Sequence, residues 1–152
     1  NAGRKVAFTA SESFVIDRHG DDFRALIEEG KIDILFVNEG ELATLTGEGE
    51  FEAGLAALKD KVPTLVATRG AQGAVALANG ERAEVAAEPI EQVVDTTGAG
   101  DLFAAGFLTG HTRGEDLETC LRMGAICAGE IISHIGARSE KDLKALVAQK
   151  LG

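Results

Sequence analysis

The fourteen residues VVDTTGAGDLFAAG, from Val93 to Gly106, concentrate the groups in this sequence best suited to chemistry. Two aspartates, Asp95 and Asp101, bracket two threonines and the small residues Gly98, Ala99 and Gly100. The pattern predicts a strand running into a tight turn, with a helix of small residues directly behind it. The first N–H groups of a helix lack backbone acceptors, and together with the dipole they make a site for an anion. Glycine lets the backbone approach that anion closely and adopt positive φ. Asp101 falls in the first helical turn beside these donors, where the dipole favours its ionised form. A carboxylate facing a bound anion is unfavourable unless a proton passes between them. A hydroxyl that gives up its proton while attacking a phosphoryl group meets that condition, because such transfers depend on positioning and charge stabilisation more than on a strong base. An ordinary aspartate at a helix start is the plain alternative.

Three familiar anion loops do not match. A P-loop needs a lysine at its end, and this stretch has none. A dinucleotide fingerprint needs a small residue three after Gly100, where Phe103 stands. The glycine loop of protein kinases covers phosphates from a hairpin, not from a strand-to-helix turn.

The elements that must position this turn alternate as strand and helix, the order of an α/β domain with a largely parallel sheet. KVAFTA, DILFVN and TLVATRG read as short buried strands that lie adjacent and parallel. Between the first two, Phe23, Leu26 and Ile27 recur at helical spacing, with Gly30 as the residue after the helix. EGELATLTG reads as a short helix closed by Gly47, and Phe51, Leu55, Leu58 and Val62 mark another stopped by Pro63. GAVALANGERAEVAA alternates around Asn79-Gly80, a hairpin signal. Past the glycine turn, Phe103, Gly106, Phe107 and Gly110 mark one helix, and Leu117, Leu121, Gly124, Ala128, Ile131 and Ile135 a longer one. The small residues Gly124, Ala125, Ala128 and Gly129 suit tight helix packing or a flat ligand. A terminal amphipathic helix follows, with Ser139 placed to cap it.

The bulk numbers agree with one globular domain or a piece of one. The chain has 152 residues, 45% hydrophobic and 26% charged. No apolar run approaches the ~20 residues of a membrane span, so no membrane partner is expected. A net charge of −10 argues against a nucleic-acid partner. Cys120 and Cys127, one heptad apart, read as buried thiols on one helix face in a reducing cytosol, which points to a cytoplasmic protein.

DTTGAGD resembles the C-terminal signature of the PfkB, or ribokinase-like, family of sugar and nucleoside kinases. Other stretches support the likeness in the right order. VNEGELATLTG is similar to the family's Asn-x-x-Glu segment, and VATRGAQG to its Thr-x-Gly-x-x-Gly loop. The helix ending in SHIGAR is similar to its last nucleotide-side helix. The resemblance implies a three-layer α/β/α sandwich, Rossmann-like, covering the C-terminal, nucleotide-binding part of the kinase over residues 1–152. It implies Asp101 as catalytic base and Gly98, Ala99 and Gly100 as the anion hole. Asn38 and Glu41 are implied in the water and Mg2+ network, and Thr68, Gly70, Gly73 and Ala125 along the ATP. Asp95 and Thr97 match positions that hold a monovalent cation such as K+ in many members, with the loop near His134 and Gly136 and, only approximately, Ser139. Taken without the resemblance, Asp95 and Thr97 fix a turn, Asn38 caps a helix, Glu41 is a solvated helix residue, and Thr68 with Gly70 forms a strand-end turn.

The family's substrate-binding Asp, Gly-Gly motif and β-lid have no counterpart here, so the chain reads as truncated on the N-terminal side. SESFVIDRH, FEAGLAALK and EIISHIGAR are most similar to bacterial adenosine kinase-like members, which favours a ribonucleoside over a free sugar. Arg18, His19 and Arg138 could touch phosphates or substrate, with surface or capping roles as the favoured reading. A homo-oligomer is expected. The alternative within the fold is a non-catalytic nucleotide-binding or regulatory fragment. A dinucleotide-dependent oxidoreductase is disfavoured by Phe103 and by the lack of GxGxxG after the first strand.

Overall fold

The computed structural model describes residues 3–11 and 13–152. The elements run β1 (Ala7–Thr9), α1 (Ser13–Glu28), β2 (Ile34–Asn38), α2 (Glu39–Thr46), α3 (Phe51–Leu58), β3 (Thr64–Thr68), β4 (Ala74–Ala78), β5 (Glu81–Val85), α4 (Ala99–Arg113), α5 (Leu117–Ile131) and α6 (Leu143–Leu151). The chain divides into two compact units. The first runs to Arg69 and takes in Ala76–Arg82, and the second comprises Gly70–Val75 and Ala83–Gly152.

The five strands form one sheet in sequence order. β1 pairs with β2 and β2 with β3, both parallel, with Ile34 opposite Ala7 and Thr64. This is the expected arrangement, and β2 shows why its sequence is a continuous apolar run. Ile34, Leu35, Phe36 and Val37 are all buried, as a parallel strand covered on both faces requires. Only five residues, 69–73, join β3 to β4, too few for a parallel crossover, so the sheet turns antiparallel there. Asn79 and Gly80 then make a two-residue turn with φ of 52° and 79°, the positive pair that a type I′ hairpin demands.

Helix ends follow local chemistry. α1 closes on Gly30 through Gly30 N–H to the Ile27 carbonyl (3.0 Å) and Lys31 N–H to that of Leu26 (2.9 Å), a Schellman pattern. α2 closes on Gly47. In the second unit α4 and α5 pack along glycines. A Cβ built on Gly106 would stand 2.5 Å from the Met123 carbonyl oxygen, and one on Gly124 2.9 Å from that of Phe103. The small-residue face of α5 therefore serves helix packing at Gly124. Phe107, Leu121, Ile126 and Ile131 fill the core around that seam.

Cys120 and Cys127 are free, buried thiols, as the sequence suggests. Burial, then the Asp116 and Glu115 charges, pushes the Cys120 thiol up to about 11. Burial, then the Glu130 charge, raises that of Cys127.

Several expectations are corrected. β1 is not a buried strand: Ala7 and Thr9 are exposed, because β1 pairs on one side only. α1 is two helical pieces meeting at His19, whose φ of −126° and ψ of 18° are not helical. α3 ends at Leu58, and Val62 is buried in the turn that follows. Residues 91–95 belong to no strand, and Val93 and Val94 are about half exposed. α5 ends at Ile131, which leaves Ile135 82% exposed. α6 is capped by Asp142, which accepts from Ala145 N–H at 3.1 Å, and not by Ser139.

Candidate active site

In the first unit, the carboxyl ends of β2 and β3 bring Asn38 and Thr68 into register as partners. Ligands of open α/β sheets bind beyond strand ends of this kind. Asn38 is also the N-cap of α2, and it is locked to Glu41 in a capping box. Its side-chain oxygen accepts from Glu41 N–H at 2.8 Å, while the Glu41 carboxylate accepts from Asn38 N–H at 2.9 Å and from Asn38 Nδ2 at 2.8 Å. The plain reading of Asn38 as a cap is correct, and that of Glu41 as a solvated residue is not, since Glu41 is buried. Arg69, next to Thr68, lies over the Phe51 ring at 4.1 Å and within 3.6 Å of Glu39.

In the second unit, Gly70 opens a turn of 3-10 helix, and Gly73 follows it with φ of 92°. A Cβ on Gly73 would lie 1.9 Å from the Val85 carbonyl oxygen, so no side chain fits there. Ala125 is buried on α5.

The glycine turn opens α4 as the sequence predicts, though no strand leads into it. Gly98 is the N-cap of α4 at φ of 81°, which favours glycine, and Asp101 lies in the first helical turn. Ala99 N–H donates to the Thr96 carbonyl at 3.1 Å, whereas helix geometry leaves the N–H groups of Gly100 and Asp101 without intrahelical acceptors. Asp101 and Gly100 are exposed to solvent. A Cβ on Gly100 would meet nothing within 4 Å.

Asp95 fixes the turn. Its Oδ1 accepts from Thr97 N–H at 2.9 Å and from the Thr97 hydroxyl at 2.7 Å, and its Oδ2 accepts from Gly136 N–H at 2.9 Å. The Thr97 hydroxyl, then the Gly136 and Thr97 N–H groups, with His134 adding to them, pull the Asp95 carboxyl down to about 2.

One further buried residue of this unit belongs to no motif. Glu130, buried on the last turn of α5, accepts with Oε1 from His134 Nε2 (3.2 Å), Glu140 N–H (3.0 Å) and Lys141 N–H (3.2 Å). Burial pushes its carboxyl up, but the neighbouring Ser139 hydroxyl, the Glu140 N–H and His134 outweigh this and hold it below its ordinary value. The available signal was a glutamate on the apolar side of α5 with a histidine four residues on. A cavity of about 440 Å³ in this unit is bordered by residues 88–92 and by one side of α5 and α6, not by Gly98–Asp101, so it is not the anion site. Arg18, His19 and Arg138 are exposed.

The model of the pfkB family carbohydrate kinases matches residues 3–144. This chain belongs to that family. It is 39% identical over 118 residues to a cytidine kinase of Thermococcus kodakarensis, covering 74% of this chain and 42% of the relative. The crystal structure of adenosine kinase from Sinorhizobium meliloti superposes with a TM-score of 0.94 at 40% identity, over 97% of this chain and 45% of that one. The structure of Arabidopsis thaliana ribokinase complexed with ribose and ATP superposes with a TM-score of 0.74 at 29% identity, over 96% and 48%. The fold is thus the ribokinase-like α/β sandwich. The chain spans less than half the length of these family members.

Proposed function

We propose that residues 1–152 are the C-terminal, nucleotide-binding part of a PfkB-family kinase that transfers a phosphoryl group from ATP to a hydroxyl of a ribonucleoside or sugar. One observation carries this reading: Asp101 sits in the first turn of α4 beside N–H groups that have no intrahelical acceptor. Asp101 takes the proton of the acceptor hydroxyl as it attacks. The Gly98-Ala99-Gly100 turn receives the anionic phosphoryl oxygens, with Gly100 and Asp101 N–H leading because that of Ala99 is engaged with Thr96. The family resemblance assigns Thr68, Gly70, Gly73 and Ala125 to nucleotide binding.

Mg2+ fits the Asn38–Glu41 pair as an outer partner. The Glu41 carboxylate, held in place by Asn38 N–H and Nδ2, is an oxygen donor of the kind that suits a metal held through its waters. Such an ion would supply positive charge to neutralise phosphate oxygens. Asp95 Oδ2, which accepts a bond from Gly136 N–H, keeps an acceptor direction for a monovalent cation such as K+ together with Thr97. The match to a crystal structure of adenosine kinase supports a ribonucleoside as acceptor. Homo-oligomeric assembly and a cytoplasmic setting belong to the same reading.

The test is Asp101→Asn in the protein that carries this chain. Its kcat should fall by about 10² or more, the low end for loss of a general base, with ATP binding largely kept. Undiminished turnover removes Asp101 from the mechanism.

A further inference from the structure

We propose that Glu130 is a positioning residue for the glycine turn, acting through the loop that its carboxylate closes. The catalytic consequence rests on the kinase reading above, whereas the closure itself does not. The three donors on Glu130 Oε1 come from residues four, ten and eleven positions further along the chain. One oxygen therefore clasps both ends of the segment leading from α5 to α6. From the middle of that segment Gly136 N–H reaches Asp95 Oδ2 at 2.9 Å. Its neighbour Ala137 presses on the N-cap: a Cβ on Gly98 would stand 3.0 Å from Ala137 Cβ. Asp95 in turn holds Thr97, the residue before Gly98. The path from Glu130 to the anion site thus runs through hydrogen bonds and the backbone of one loop, all within the second unit.

Two features bear on how Glu130 acts. First, α5 does not need the side chain to end. Ile132 N–H bonds the Ala128 carbonyl at 3.2 Å, and Ser133 satisfies that of Glu130 through its N–H and its hydroxyl. Second, Glu130 Oε2 is buried with no hydrogen-bond partner among the described residues. The unbonded oxygen adds to the cost of burial, while the mostly buried His134 ring depends on Oε1 for its partner, so the carboxylate is kept for the bonds it makes to this loop. Glu140 and Lys141 are exposed, so water replaces the clasp at their N–H groups. What Glu130 adds is a fixed loop.

The test compares Glu130→Leu and Glu130→Gln. In the 152-residue chain, amide hydrogen exchange at Gly136 and Thr97 should speed up about tenfold or more in Glu130→Leu, since several charge-assisted bonds are lost. Its melting temperature should fall, because the mostly buried His134 ring loses its partner, while exchange in β2 stays at the wild-type rate. Glu130→Gln keeps an oxygen for the same donors and should exchange within about threefold of the wild type. In the protein that carries this chain, Glu130→Leu should lower kcat about 10- to 100-fold with the acceptor KM unchanged, the mark of a misplaced turn. Wild-type exchange in Glu130→Leu overturns the proposal, as does a Glu130→Leu chain that no longer folds, or Glu130→Gln exchanging as fast as Glu130→Leu. If instead Asp101→Asn keeps full activity, the kinase reading fails while the exchange result stands.

Discussion

Replacing Gly106 by alanine tests the α4–α5 seam on which the glycine turn is mounted. The new Cβ would lie 2.5 Å from the Met123 carbonyl oxygen, 2.8 Å from its carbon and 2.9 Å from Gly124 Cα. All three are backbone atoms of a helix, so no side-chain rotation relieves the clash. Bringing these contacts to about 3.5 Å requires the helices to part by roughly 1 Å. A gap of that size forfeits about a quarter to a half of the dispersion energy of each contact it opens. Overpacking a well-filled core costs about 1–3 kcal/mol, and rigid backbone on both sides places this site at the upper end. Alanine returns about 1 kcal/mol of helix propensity. The net loss is then about 2 kcal/mol, which lowers Tm by about 4–8 °C in a chain of this length. Thermal unfolding followed by circular dichroism measures it, with Gly100→Ala as control, because a Cβ there meets nothing within 4 Å. A Gly106→Ala chain melting at or above the wild type refutes the close approach of the two helices.

Two further outcomes follow from local chemistry. Thr119 N–H and then its hydroxyl lower the Asp116 carboxyl at the N-cap of α5. That group therefore stabilises the fold above the ordinary aspartate range and loses its contribution as pH falls below about 4. Asp116→Asn keeps a capping oxygen without the titration, so it should melt near the wild type at pH 7 and show a shallower decline in acid; parallel declines would exclude Asp116 as a source of the acid sensitivity. The 152-residue chain on its own should bind ATP·Mg weakly in calorimetry and release no acceptor-dependent ADP with ribonucleosides or sugars; robust turnover by a monomer would show that it holds a complete acceptor site.

The parts of the fold that the sequence revealed are those decided within a few residues. The apolar runs of β2 and β3, the Asn79-Gly80 turn and the start of α4 at Gly98 each carry their cause locally. What it hid depends on distant neighbours. β1 is as apolar as a buried strand, yet its exposure is set by which strands pair with it. Residues 91–95 have strand-like composition, but a strand needs a ladder partner, and Val94 N–H instead bonds the Ile132 carbonyl. Ser139 and Asp142 are both good caps three residues apart, and only the loop around Glu130 decides between them. At the candidate site, Asp101 and the glycine turn were legible from one motif. The clasp of Glu130 was not, because a glutamate in a helix reads as solvated unless its burial is known.

The two thiols of α5 give this seam a built-in reporter. Cys120 Sγ lies 3.0 Å from where a Cβ on Gly110 would be, so it faces α4 directly. A thiol pushed up to about 11 holds a negligible thiolate fraction at neutral pH, and alkylating reagents ignore it while the helices are closed. Its rate of modification therefore counts openings of the α4–α5 pair. For the same reason a cysteine introduced at an exposed position such as Glu48 would label selectively, with both native thiols left in place.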